Sequence, residues 1–82
     1  MLSEKYKEFT LEALTVAYYI ITSPEGFGIS VKIHETGESF TAKGISDSML
    51  EVVRIADKMV SGTVTPVSAP YVLHDILCDI KW

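Results

Sequence analysis

From Thr15 to Thr22 nearly every position is β-branched or aromatic, and from Ile29 to His34 apolar and polar residues alternate strictly. The first pattern favours a strand. The second is a strand with one dry face and one wet face, Ile29, Val31 and Ile33 pointing one way and Ser30, Lys32 and His34 the other. The alternation returns over 39–45, with Phe40 and Ala42 inward against Ser39, Thr41 and Lys43. Turns separate these stretches: Ser23-Pro24-Glu25-Gly26-Phe27-Gly28 before the second, Glu35-Thr36-Gly37-Glu38 before the third. The strands are therefore expected at 14–22, 29–35 and 39–45.

The period changes after Ser48. Met49, Val52, Val53, Ala56, Met59 and Val60 form a stripe at helical spacing, with Glu51, Arg54, Asp57 and Lys58 over much of the remaining surface. Ser48 followed by Glu51 reads as a capping box, and Gly62 stands where a C′ glycine ends a helix. Thr63 to Ala69 contains Pro66 and reads as extended chain. Pro70 suits the first turn of a last helix, whose stripe is Val72, Leu73, Ile76, Leu77 and Ile80. The N-terminal segment is ambiguous. Leu2, Tyr6, Phe9 and Ala13 are spaced three to four apart, which predicts a helix over 3–13 running into the first strand. Phe9, Leu11 and Ala13 also alternate with Thr10 and Glu12, so a single strand beginning near Phe9 is the alternative. The expected fold is α+β: a three-stranded antiparallel meander with helices on one face, in the order α-β-β-β-α-α, as a single domain over residues 1–82.

A helix, three antiparallel strands and a helix over residues 3–60 resemble, in order and spacing, the double-stranded-RNA-binding domain. That family presents a polar, often His-bearing turn between its first two strands, and lysines where its second helix begins. Here the turn is Ser23 to Gly28, without His, and the helix start is Ser46-Asp47-Ser48-Met49-Leu50-Glu51, with two acids and no Lys. The resemblance implies a fold; the residues for the RNA groove are not at the matching positions.

Charge bears on the same question. The 82 residues carry 11 acidic and 7 basic side chains, a net charge of −4, and Arg54 is the one arginine. Binding to nucleic acid depends on Lys and Arg displacing counterions from phosphate, so nucleic acid is not the expected partner. The lone Cys78 excludes an intramolecular disulfide. The longest apolar run, Val16 to Ile21, is too short for a membrane helix, and the charged N-terminal segment is unlike a signal peptide. A reducing, cytoplasmic setting is the expectation, with no membrane association.

Candidate chemistry is sparse. His74, Asp75, Cys78 and Asp79 fall on neighbouring positions of the last helix, but a structural zinc site draws on several Cys or His, and the chain has one and two. His34-Glu35 are adjacent on a strand and face opposite sides, which argues against a dyad. Gly26-Phe27-Gly28 opens a strand, whereas a phosphate loop opens a helix. Neither enzymatic activity nor a cofactor is expected.

Strand 14–22 is apolar on both faces, with Val16, Tyr18 and Ile20 on one and Ala17, Tyr19 and Ile21 on the other. One set can face the helices; the other is either covered by the C-terminal helix or the Thr63–Ala69 segment, or left as an interface. The expected function is therefore a protein-interaction module: an adaptor, inhibitor or accessory factor, of the kind phages and other mobile elements carry. The expected interface is Ala17, Tyr19, Ile21 and the terminal Trp82, used for a homodimer or for another protein. The rival reading is an RNA-contacting domain that uses a polar sheet face bearing Lys32, His34 and Lys43.

Overall fold

The structure, a computed structural model, describes residues 2–80, with the backbone alone at 79 and 80. Four strands and two helices follow one another: β1 (Leu2–Leu11), β2 (Leu14–Ser23), β3 (Gly26–Ile33), β4 (Ser39–Ser46), α1 (Met49–Ser61) and α2 (Ala69–Ile80). All strand pairs are antiparallel, in the spatial order β1-β2-β3-β4. The α+β class is as expected; the element order is β-β-β-β-α-α and the sheet has four strands, not three. The likeness to the RNA-binding topology therefore fails at its first element, because the segment expected as its first helix, 3–13, is taken up by strand β1 and the turn after it.

Two local features explain why 3–13 reads as helical. The β1–β2 register slips between Lys5 and Lys7, leaving Tyr6 as an extra residue. That bulge interrupts the period of two, so the apolar positions Leu2, Tyr6 and Phe9 fall at helix-like intervals. The strands are then joined by a two-residue turn, with Leu11 paired to Leu14. Its central residues, Glu12 and Ala13, have φ of 48° and 68°. A two-residue hairpin of the I′ type requires positive φ at both positions and is usually signalled by Asn-Gly. Neither residue announces it here.

The other strands lie close to their predicted places, with β3 starting at Gly26, inside the predicted turn. Pro24 and Glu25 make the β2–β3 turn, across which Ser23 Oγ donates to the Gly26 carbonyl at 3.1 Å. Gly28 has a specific reason to be glycine. A Cβ there would stand 2.1 Å from the Ala42 carbonyl oxygen, where β4 bulges toward β3.

Helix α1 starts at Ser48, whose Oγ accepts from the Glu51 N–H at 3.4 Å. Only half of the capping box forms, because the Ser48 N–H donates to Ser46 Oγ at 3.1 Å. At the other end Val64 N–H donates to the Met59 carbonyl at 3.1 Å and Thr63 N–H to that of Val60 at 3.0 Å. These are the two bonds of a Schellman motif, and they put Thr63, with φ of 49°, at C′. Gly62, at φ −88°, is the residue before it, so the expected C′ glycine is displaced by one. Pro70 sits in the first turn of α2 as expected.

Both helices pack on the same face of the sheet. Val16, Tyr18, Ile20, Ile29, Val31 and Ile33 meet Val52, Ile55, Ala56 and Met59 of α1 and Leu73 and Ile76 of α2. Tyr18 is fully buried, and its hydroxyl reaches the carbonyls of Val64 and, at 3.3 Å, Met59. The residue at the centre of β2 thus ties the sheet to the chain between the helices. Val64 and Pro66 are buried under the same layer. Among the described residues no helix is long and apolar enough to cross a membrane.

Candidate interaction surface

Among the described residues, no helix packs on the opposite face of the sheet. Strand alternation and the observed register place Ser3, Lys5, Glu8 and Thr10 of β1 on it, beside Thr15, Ala17, Tyr19 and Ile21 of β2. Ser30 and Lys32 of β3 follow, and then Ser39 and Thr41 of β4. Two apolar side chains of this face are withdrawn from solvent by their neighbours: Ala17 is 0% and Ile21 3% exposed. Tyr19 is half-buried and is the aromatic surface this face presents.

Lys32 reaches over Tyr19, its Nζ 5.5 Å from the ring centroid, where the ring's negative face attracts a cation. Together they border a shallow depression of about 390 Å³, completed by His34, Gly37, Glu38 and Ser39. The turn geometry sets its rim: Gly37 N–H donates to the Ile33 carbonyl at 2.9 Å, and Gly37 takes φ of 77°. Ser30 and Thr41 share a hydrogen bond of 3.0 Å between hydroxyls. The floor beside Tyr19 is thus polar and satisfied.

Among the described residues, the basic side chains of this face lie beside local partners. His34 Nε2 lies 3.6 Å and Lys5 Nζ 3.4 Å from Glu8 Oε2. Lys43 lies past the β4 irregularity, outside the depression and beside Glu25. The Glu25 carboxyl is held below the usual range by Ser23 first and by Lys43 to a smaller degree. Glu35 is bonded to Thr15 and not to His34. It accepts from Thr15 N–H at 2.7 Å and Thr15 Oγ1 at 2.9 Å, which lowers its pKa and pins the start of β2.

A second depression of about 440 Å³ runs along α1, with Ile55 beneath Glu51, Arg54, Asp57 and Lys58. Asp57 closes it toward β1, accepting from the Tyr6 hydroxyl at 2.7 Å and pairing with Lys7 Nζ at 3.3 Å. The Tyr6 hydroxyl first, and Lys7 to a smaller degree, keep the Asp57 carboxyl below its ordinary pKa, and the bond to Asp57 pushes the Tyr6 phenol up.

The structure thus joins three residues picked separately from sequence, Tyr19 from the apolar set and Lys32 and His34 from the polar set. Ala17 and Ile21 are inside, Lys43 lies apart, and Trp82 falls outside the described residues. Sequence reasoning missed Glu8, Lys7 and Tyr6, because a helical reading of 3–13 scatters them; the alternation beginning near Phe9 is the signal that could have found them. On α2, His74 Nε2 and Cys78 Sγ meet at 3.7 Å on an exposed face. Among the described residues no group of three metal-ligating side chains converges. Gly26 and Gly28 lie within β3.

No curated protein matches the chain, and no solved structure does. Residues 2–79 match the family model described as Family of unknown function (DUF6514).

Proposed function

The chain belongs to this family of unknown function, DUF6514, and we propose that it is a small interaction module which binds another protein through the helix-free sheet face. The observation that carries this reading is the half-buried Tyr19 at the edge of the 390 Å³ depression, ringed by Lys32, His34, Glu38 and Ser39. An aromatic anchor inside a polar rim of both signs is the usual anatomy of a protein interface. The rival RNA reading needs unpaired cations. Here Glu8 holds Lys5 and His34, the Tyr19 ring attracts Lys32, and Glu25 flanks Lys43, which leaves little to displace counterions from phosphate.

Cross-linking in a native lysate, followed by comparison of variants, tests this reading. A protein captured by the wild type should be lost with Tyr19→Ala and with Lys32→Glu, and kept with Arg54→Glu on the α1 side. Capture that survives both sheet-face changes would overturn it. A salt-sensitive gel shift with duplex RNA, abolished by Lys32→Glu, would favour the rival.

A further inference from the structure

Strand β1 forms one border of the sheet for ten residues, and its outer side pairs with no described strand. Which residues point outward follows from the ladder. His34 N–H donates to the Thr15 carbonyl at 3.1 Å, so Thr15 and its odd-numbered neighbours on β2 turn their backbone groups to β3. Antiparallel ladders alternate, so Leu14, Val16, Tyr18, Ile20 and Thr22 bond to β1. Their partners are Leu11, Phe9, Lys7, Glu4 and Leu2. The residues left with outward N–H and C=O groups are Ser3, Lys5, Glu8 and Thr10. The same four place their side chains on the helix-free face.

We infer that this border pairs with the same border of a second copy, antiparallel about a two-fold axis between Tyr6 and Lys7. In that register Ser3 stands opposite Thr10 and Lys5 opposite Glu8, so every outward backbone group meets an outward group. Leu2 stands opposite Leu11 and Glu4 opposite Phe9, on the helix side in both copies. The bulge at Tyr6 makes this match possible. In an unbulged strand, residues whose numbers sum to an odd value lie on opposite faces; the extra residue returns Lys5 and Glu8 to one face. Charge agrees with geometry. Border strands that stay alone use charge to repel copies, whereas here each lysine of the pair meets a glutamate of the other copy, twice. The two bulge side chains do not obstruct the axis, since Tyr6 and Lys7 are drawn to Asp57 on the helix side. Leu2, 70% exposed in the single chain, gains an apolar neighbour. The product is one continuous sheet with both helix pairs on the same side.

The inference stands independently of the Tyr19 surface and has a charge-swap test. The full chain should sediment as a dimer at high concentration and dissociate on dilution. Lys5→Glu alone and Glu8→Lys alone should each be monomeric, with unchanged circular dichroism, because both side chains lie at the surface, outside the core. Mixing the two variants should restore the dimer as a mixed pair, since every contact is again between opposite charges. Tyr19→Glu should remain dimeric. A wild type that is monomeric at every concentration, single variants that still dimerise, or a mixture that fails to associate would each overturn the inference.

Discussion

Tyr18 joins β2 to its neighbour strand and to the chain between the helices. Its ring stacks on Phe9 of β1 at 5.8 Å between centroids, and its hydroxyl bonds to the Val64 carbonyl beyond α1. Removing the hydroxyl leaves that carbonyl without its donor. Tyr18→Phe is therefore expected to cost about 1–2 kcal/mol in urea unfolding. Burial pushes the Tyr18 phenol up from the ordinary value of 10.0 to about 12. The folded chain thus holds this proton more tightly than the unfolded one. The associated stability is complete below pH 10 and is lost as pH rises from 10 toward 12. Denaturant midpoints across that interval should fall, and fall less in Tyr18→Phe. Thr63 shows the converse: a β-branched residue held at φ 49°, where a side chain costs about 1–2 kcal/mol. Thr63→Gly should raise the midpoint by about 1 kcal/mol despite losing a side chain. An unchanged or lower midpoint would argue against the Schellman assignment.

At the level of elements, β3, β4, α1 and α2 are legible in the sequence because each keeps its own period, and β2 because its residues are β-branched or aromatic. Ile29, Val31 and Ile33 alternate cleanly, and Val52, Ala56 and Met59 recur at helical intervals. β1 is not legible, for two local reasons. The Tyr6 bulge disguises its period, and Glu12-Ala13 take a conformation that most sequences assign to Asn-Gly. The surface was half legible for a related reason. Period two correctly put Ala17, Tyr19 and Ile21 on one face, but without β1 nothing predicted that neighbours would enclose Ala17 and Ile21. If the turn is a strained I′ hairpin, replacing Glu12 by Asn and Ala13 by Gly together should stabilise the chain by about 1 kcal/mol or more. Thermal unfolding of the double variant measures this; a loss of stability would mean that the turn depends on those side chains.

For the molecule as a whole, β1 is the element with the thinnest anchorage. It is exposed along most of its length. It is held by its ladder to β2, by Phe9 on Tyr18, and by the Tyr6 and Lys7 contacts to Asp57. Paired beside it lies Val16-Ala17-Tyr18-Tyr19-Ile20-Ile21, six residues with no charge, no proline and high β-propensity. A segment of that composition is what stacks into cross-β fibrils once its backbone is uncovered. β1 thus acts as a sheath over the chain's most amyloid-prone stretch. Anything that lets it peel away while β2 stays extended offers a template for filament growth. Asp57→Ala, which cuts the Tyr6 and Lys7 tethers and leaves β2 untouched, should shorten the lag before thioflavin-positive aggregates form. Thr10→Lys, on the open face of β1, should leave that lag unchanged. The bulged, unadvertised first strand thus occupies the backbone through which β2 would otherwise pair with other copies.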